Sequence, residues 1–165
     1  MPYRQKDLHE KPFSVNIGHE MLVQDVMTKD AISVTKYEPI MHVADILSGR
    51  NISGLPVVDN ERKVLGIITQ ADILSMIGVG REHTFKDLLK VMLGEKLPEQ
   101  RRGDIVGDVM TVNAITIKPE ANIAEAVRTM DDKKIRRLLV VDAKKTLLGI
   151  ITRADILKAV IKKLK

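Results

Sequence analysis

One pattern of hydrophobic and polar positions occurs twice along the chain. Sliding the sequence along itself by 83 positions aligns residues 25–77 with residues 108–160 without a gap, and 21 of the 53 aligned pairs are identical. A solenoid of short repeats needs three or more units for stability, so two copies predict a paired body with pseudo-twofold symmetry. Neither repeat is long enough to be a robust domain alone.

Each repeat shows the same order of periodicities, which predicts a β-α-β-β-α unit. Short β-branched runs at residues 31–34 and 114–117 predict a first strand. Apolar residues at i, i+3, i+4 and i+7 then predict an amphipathic helix. This stripe consists of Ile40, Val43, Ala44 and Leu47 in the first repeat and Ile123, Ala126, Val127 and Met130 in the second.

A hairpin and a second helix complete each unit. In the first repeat, apolar runs at residues 55–58 and 64–69 flank a polar turn, which is a hairpin signal. The second helix is predicted to begin at Ala71. Because the strands are apolar on successive residues, we expect cover on both faces and a mixed α/β (α+β) fold of tandem repeats. The apolar side of the second helix consists of Ile73, Leu74 and Ile77.

The repeats divide the chain into four segments. Residues 22–77 form the first repeat, and residues 105–165 form the second, which ends in a basic C-terminal helix. Residues 1–21 are an N-terminal extension, and residues 78–104 are a helical insert followed by a charged linker. Within the insert, the apolar pattern predicts an extra amphipathic helix at residues 84–93.

Composition removes several classes of chemistry. The chain has no cysteine, which excludes disulfides, thiolate catalysis and cysteine zinc sites, and its four histidines show no metal-ligand spacing. No metal site is predicted. No apolar run approaches the roughly 20 residues that a membrane span needs, and residues 1–20 are too polar for a signal peptide. We therefore expect a cytoplasmic protein without a membrane partner.

Positive charge is concentrated in the second repeat. Residues 105–165 carry 13 Lys and Arg against 7 Asp and Glu, whereas the whole chain has a net charge of +5. A basic half suits an anionic ligand, a nucleic acid or an acidic partner. Much of the excess comes from tail lysines, which also suit a solvated helix face. These lysines are Lys158, Lys162, Lys163 and Lys165.

The sequence Gly-Ile-Ile-Thr-x-Ala-Asp carries the candidate chemistry, because it occurs where a strand ends and a helix begins. It pairs Thr69 with Asp72 and Thr152 with Asp155. A Thr and an Asp three residues apart at a helix start are typical of a capping box, which satisfies free backbone amides. The same groups suit a ligand, because a helix N-terminus and a hydroxyl attract phosphate and a carboxylate accepts ribose hydroxyls. The two interpretations are compatible, since different atoms can serve each.

The segment before the hairpin differs between the repeats. Arg136 and Arg137 precede the strand in the second repeat, where the first repeat has Ser53 and Gly54. Arginine suits phosphate because its planar fork donates several hydrogen bonds to one anion. Ser and Gly leave room and backbone access instead. The repeats therefore differ where a ligand would be distinguished, although exposed arginines in a loop would explain the same residues.

Taken together, these landmarks resemble the CBS domain pair, or Bateman module. They are Asp-Val-Met-Thr at the start of each repeat, SGLPVVD and RRLLVVD before the hairpin, and GIITQADI and GIITRADI at its end. The resemblance covers about residues 22–77 and 105–161. It implies repeats that pack by their sheets and leave two clefts for adenosyl compounds such as AMP, ADP, ATP or S-adenosylmethionine. It also implies a regulatory, non-catalytic module that requires no cofactor.

The resemblance also implies which residues bind. Asp72 and Asp155 match the ribose carboxylates of similar pairs, and Thr69 and Thr152 match the hydroxyls near ribose and phosphate. Each cleft is expected to combine these residues of one repeat with the first strand and pre-strand loop of the other. One cleft would join Thr69 and Asp72 to Ile115, Thr116, Arg136 and Arg137, and Arg153 is also assigned to phosphate. The other would join Thr152 and Asp155 to Ile32, Ser33, Ser53, Gly54 and Pro56.

The expected partners are an adenosyl small molecule, a second copy of the chain, and a regulated enzyme or transporter that the sequence does not identify. The basic second repeat suggests a nucleic-acid binder as an alternative, but the sequence has no recognition-helix motif and few aromatics for base stacking. An enzyme lacks support, because no nucleophile with a positioned base, P-loop or metal triad accompanies the carboxylates. A ligand-free interaction scaffold, with capping boxes alone, is a third interpretation.

Overall fold

The computed structural model describes residues 16–76, 89, 92–94 and 103–165 of the chain. Helices and strands follow one another in each repeat in the predicted order, with short extra elements at the start of each repeat. Most of the predicted helix at residues 84–93 and most of the N-terminal extension lie outside the described residues. In chain order the elements are α1 (Ile17–Glu20), α2 (Val23–Val26), β1 (Thr28–Lys29), α3 (Ile40–Arg50), β2 (Gly54–Val58), β3 (Val64–Thr69), α4 (Gln70–Met76), α5 (Val106–Val109), β4 (Thr111–Val112), β5 (Thr116–Ile117), α6 (Ile123–Lys133), β6 (Arg137–Val141), β7 (Leu147–Thr152) and α7 (Arg153–Leu164).

The two repeats exchange short strands. One sheet has the order β1-β7-β6-β5 and the other has the order β2-β3-β4. Strand β1 of the first repeat pairs with β7 of the second, with Thr28 opposite Ile150, and β4 of the second pairs with β3 of the first, with Thr111 opposite Ile67. The exchange is reciprocal, so each sheet contains strands from both repeats.

Two glycines allow the exchanged strands to approach closely. A Cβ added at Gly66 would lie 2.3 Å from the backbone oxygen of Thr111, and one added at Gly149 would lie 2.6 Å from that of Thr28. Both distances are far inside van der Waals contact. The glycine that begins each Gly-Ile-Ile-Thr segment is therefore required by the contact between repeats.

Contacts across the pseudo-twofold axis join the two hairpin turns. Lys63 and Thr146, which are equivalent positions, face each other in an antiparallel bridge. The amide of Val64 donates to the carbonyl of Lys145 at 3.1 Å, and the amide of Leu147 donates to that of Arg62 at 3.0 Å. These two hydrogen bonds are related by the same 83-residue offset, so the axis passes through this bridge.

Each hydrophobic core contains a valine from the other repeat. Val23 of the first repeat lies in the cluster around Met130 and Leu138, and Val106 of the second lies in the cluster around Leu47 and Leu55. Both valines are fully buried. Since neither repeat completes its core from its own residues, we conclude that the pair is the folding unit.

The predicted hairpins and first helices are confirmed. Strand β2 pairs antiparallel with β3, and β6 pairs antiparallel with β7. The core-facing sides of α3 and α6 also follow the predicted stripes. Their buried residues are Ile40, Val43 and Leu47 in α3 and Ile123, Ala126 and Met130 in α6.

The predicted first strands are shorter than expected. The run at residues 31–34 supplies a single parallel bridge between Val34 and Val57, and the run at residues 114–117 shortens to β5. The exchanged strands β1 and β4 were not predicted. Each has only two residues, both exposed, so neither gives a period-two pattern of buried positions.

Two predicted stripe residues lie outside the core. Val127 in α6 is 40% exposed, and Leu74 in α4 is 45% exposed. Each follows a more buried neighbour, Ala126 or Ile73, by one residue, and this step is a rotation of about 100° around a helix. The rotation turns both side chains toward solvent.

Candidate functional site

A capping box forms at both strand-to-helix junctions. In the second repeat, the amide of Asp155 donates to Thr152 Oγ1 at 3.1 Å, and the amide of Thr152 donates to Asp155 Oδ2 at 3.0 Å. The first repeat repeats this geometry between Asp72 and Thr69, at 3.2 Å and 2.9 Å. The capping interpretation is therefore confirmed, and it uses only one oxygen of each carboxylate.

The remaining oxygen differs between the two aspartates. Thr111 Oγ1 donates to Asp72 Oδ1 at 3.1 Å, so a side chain from the other repeat already engages that oxygen. Thr28 is the equivalent threonine of the first repeat, and it lines a cleft beside Asp155. Among the residues that the structure describes, none donates a hydrogen bond to Asp155 Oδ1. Asp155 thus presents an unused acceptor to the cleft.

This cleft has a volume of about 1190 Å³ and is lined by both repeats. All but one of the residues predicted to join Thr152 and Asp155 line this cleft. Ser33 does not line it and is half-buried beside Val34. Ile115, Thr116, Thr69 and Asp72 do not line it either. The predicted residues that line it are Ile32, Ser53, Gly54, Pro56, Arg136, Arg137, Thr152, Arg153 and Asp155.

Backbone hydrogen bonds hold the helix starts against the pre-strand loops. The amide of Gln70 donates to the carbonyl of Ser53 at 2.9 Å, and the amide of Arg153 donates to that of Arg136 at 3.0 Å. The two hairpins have the same strand register at this point, because Gly54 lies opposite Thr69 in the first repeat and Arg137 lies opposite Thr152 in the second. The loop that differs between the repeats is therefore fixed beside the Thr-Asp pair.

Arg137 lies between the two junctions. Its Nη2 donates a hydrogen bond to Ser53 Oγ of the other repeat. A Cβ added at Gly54 would lie 3.0 Å from Arg137 Nη1 and 3.2 Å from Thr69 Cγ2, so the guanidinium packs closely over Gly54 and would have to shift for a larger residue.

The charge of Arg137 is fixed. Burial lowers the pKa of its guanidinium, the neighbouring Arg136 lowers it further, and Asp72 opposes both effects. Because arginine keeps its proton far above neutral pH even so, Arg137 is a permanent cation beside both Asp72 and the cleft.

The two arginines serve more than the one junction that the sequence predicted. Arg136 and Arg137 were expected beside Thr69 and Asp72; Arg137 does lie beside Asp72, and both arginines also line the cleft of Thr152 and Asp155. They can do so because the pre-strand loops of the two repeats meet near the axis, where Arg137 contacts Ser53.

Sequence reasoning missed three charged residues of the cleft, namely Asp30, Arg50 and Lys158. Lys158 follows Asp155 by three residues, a spacing that places both on one side of α7 and could have indicated it. Arg50 ends α3, and Asp30 follows β1. Their approach to the other repeat depends on tertiary packing, which no local pattern records.

The described part of the chain contains no group of three or more His, Asp or Glu residues that could hold a metal ion. None of its helices is both long enough and apolar enough to cross a membrane.

Comparison with known proteins gives one family. The model of the CBS domain matches residues 23–79 and 106–162. The crystal structure of CBSX2 in complex with AMP is similar with a TM-score of 0.71 and 27% sequence identity, covering 88% of this chain and 99% of that one. The CBS domain pair of protein MJ0100, in complex with 5-methylthioadenosine and S-adenosylmethionine, has a TM-score of 0.67 and 27% identity, covering 87% and 98%.

Relatives with known sequences include free-standing proteins and parts of larger ones. Protein MJ1426 of Methanocaldococcus jannaschii is 33% identical over 158 residues, which are 87% of this chain and 94% of that protein. Chloroplastic CBSX2 of Arabidopsis thaliana is 30% identical over 130 residues, which are 70% of this chain and 52% of that protein. Inosine-5'-monophosphate dehydrogenase of M. jannaschii is 34% identical over 134 residues, which are only 22% of its length.

Proposed function

Because the chain belongs to the CBS domain family, we propose that it is a regulatory module that binds an adenosyl ligand in the cleft between its repeats. The observation that carries the proposal is the unused Oδ1 of Asp155, at a capped helix start that faces a cleft built from both repeats. The complexes of CBSX2 with AMP and of the MJ0100 domain pair with S-adenosylmethionine support an adenosyl ligand.

Each part of the cleft suits one part of such a ligand. Asp155 Oδ1 accepts a ribose hydroxyl while Oδ2 continues to cap α7. Ile32 and Pro56 provide apolar surface for the base. Arg136 and Arg137 donate hydrogen bonds to phosphate, which the planar guanidinium binds strongly.

A second, related site uses the other junction. It comprises Thr69 and Asp72 with Ile115 and Thr116. Its carboxylate must first release the hydroxyl of Thr111, which donates to Asp72 Oδ1 at 3.1 Å. We therefore expect this site to be the weaker of the two.

The module acts by binding rather than by catalysis. A ligand that contacts both repeats favours the arrangement in which it fits, and its differential affinity sets the largest shift it can cause. The adenosyl compound is then a regulatory ligand and not a cofactor. The regulated partner is an enzyme or a transporter, and the likeness to part of inosine-5'-monophosphate dehydrogenase supports an enzyme.

Isothermal titration calorimetry with AMP, ATP and S-adenosylmethionine tests the proposal. We expect saturable binding of at least one of them and a rise in melting temperature with ligand concentration, since a ligand that binds only the folded state stabilises it. If none of the three binds or raises the melting temperature, the proposed function is wrong.

The chain is also proposed to form a homodimer through the outer faces of α6 and α7. Val127 is 40% exposed, Leu157 is 60% exposed, and Ile161 and Leu164 are each 44% exposed, which leaves an apolar strip for a second copy to cover. Light scattering should give the dimer mass, and Leu157→Glu should give the monomer mass. A monomeric wild-type protein would contradict the dimer.

The chain without cysteine suits the reducing cytoplasm, where we place the protein.

A further inference from the structure

The cleft carries more cationic than anionic side chains. Five cations line it, against the two carboxylates of Asp30 and Asp155. They come from both repeats, so the excess does not belong to one helix or one loop. The five are Arg50, Arg136, Arg137, Arg153 and Lys158.

Most of these cations have no acidic partner. Arg153 is paired, since its Nη2 lies 3.0 Å from Asp131 Oδ1. Within residues 16–76 and 103–165, Arg50, Arg136 and Lys158 take part in no ion pair, and Arg137 donates to the neutral hydroxyl of Ser53. Unpaired charges of one sign around a concave surface focus the potential and attract the opposite charge.

We propose that the cleft selects among adenosyl ligands by the charge of the group attached to the ribose 5' carbon, with Arg50 and Lys158 as specificity-determining residues. This inference rests on the proposed function. A triphosphate chain binds more tightly than a monophosphate. S-adenosylmethionine, whose substituent in that position carries a sulfonium, an ammonium and a carboxylate and is net positive, binds most weakly.

The positions of the charged side chains assign each of them to one part of the ligand. Asp155 is assigned to the ribose hydroxyls and the amide of Thr152, and its charge and that of Asp30 leave the cleft with an excess of positive charge. One phosphate satisfies Arg136, in the loop before β6, and Arg137, the first residue of β6. Arg50 and Lys158 then remain for the β- and γ-phosphates.

These two residues also connect the ligand to both repeats. Arg50 is the last residue of α3 in the first repeat, and Lys158 lies in α7 of the second. In this proposal a polyphosphate is held by both residues and joins the repeats through charge. The triphosphate should therefore favour the arrangement of the repeats in which it fits more strongly than the monophosphate does.

Calorimetry on the full chain with AMP, ATP and S-adenosylmethionine, without Mg²⁺ and at two salt concentrations, tests the selectivity. We expect ATP to bind at least about tenfold more tightly than AMP, with a preference that falls as salt screens the cations. Arg50→Gln and Lys158→Gln should each weaken ATP binding by about fivefold or more and AMP binding by less than about twofold, since charge-assisted hydrogen bonds are the stronger ones.

Lys162→Gln is the matched control, because it removes one positive charge from α7 without touching the cleft. It should leave the ratio of ATP to AMP affinity unchanged. If AMP binds as tightly as ATP, or S-adenosylmethionine binds more tightly than either, the selectivity is wrong while the proposed function stands. A ratio that falls equally in Lys162→Gln and Lys158→Gln would also overturn it. If no adenosyl ligand binds, the proposed function fails as well.

Discussion

Asp155 has two roles, as the N3 member of the capping box in which Thr152 is the N-cap of α7 and as the proposed acceptor for ribose. Asp155→Ala removes both Oδ2, which accepts from the amide of Thr152 at 3.0 Å, and Oδ1, which accepts no hydrogen bond from the described residues. The lost hydrogen bond to the Thr152 amide should lower the free energy of unfolding by about 1 kcal/mol. The lost charged acceptor should weaken AMP binding by about 1.5–3 kcal/mol, which is roughly 10- to 150-fold in the dissociation constant.

Two further variants distinguish these effects. Asp155→Asn keeps an oxygen that can accept from Thr152, so its stability should stay near the wild-type value while its affinity for AMP falls. Asn122→Ala removes a different cap, since Asn122 Oδ1 accepts from the amide of Glu125 at 2.9 Å at the start of α6. It should lose about 1 kcal/mol of stability and keep its affinity for AMP.

Urea denaturation measures the stability of each variant, and titration calorimetry measures its affinity for AMP. The reasoning would be refuted if Asp155→Ala lost the same stability as Asn122→Ala and still bound AMP with the wild-type affinity. Asp155 would then serve only the capping box, and the Thr-Asp pair at each junction would not indicate a ligand site.

Two variants, each with a control variant, test the contacts between repeats. Thr111→Val frees Asp72 Oδ1 from its hydrogen bond, so the second site should bind AMP several-fold more tightly, whereas Thr28→Val should leave that site unchanged. Titration calorimetry measures the affinity of the second site in both variants. Equal second-site affinity in the two variants would contradict the role of the Thr111 hydrogen bond. Gly66→Ala places a Cβ 2.3 Å from the Thr111 carbonyl oxygen and should cost about 1–3 kcal/mol. Gly49→Ala, in α3 with nothing within 4 Å, should instead stabilise by about 0.5–1 kcal/mol; melting temperatures that fall equally for both glycines would contradict the strand exchange.

The repeat architecture could be predicted because its signals are local or doubled. The hairpins follow from apolar runs on either side of a polar turn, and both copies give the same signal. The capping boxes involve residues three apart, such as Thr152 and Asp155, so their geometry follows once the helix start is located.

The exchange between repeats could not be predicted, because it depends on how the two copies dock. Thr28 and Thr111 occur in the same Asp-Val-Met-Thr sequence, yet Thr111 donates to an aspartate while Thr28 faces the open cleft. The difference arises from residues that are distant in sequence. Arg137 lies beside Asp72, and the equivalent position in the first repeat is Gly54, which has no side chain.

Which junctions the two arginines reach depends on the same docking. Arg136 and Arg137 lie close to the axis, where a residue of one loop reaches both junctions. The sequence predicts a single cleft for the pre-strand loop of each repeat, and a side chain close to the axis can contact both. Arg50 was missed because the end of a helix gives no indication of which repeat it faces.

In the proposed function, the cleft between the repeats binds the ribose of an adenosyl ligand through Asp155. A crystal structure of the chain grown with saturating AMP would show this contact. The ribose hydroxyls should lie within hydrogen-bonding distance of Asp155 Oδ1, and the phosphate should lie against Arg136 and Arg137. An AMP molecule bound elsewhere, or a cleft that stays empty at saturating AMP, would contradict it.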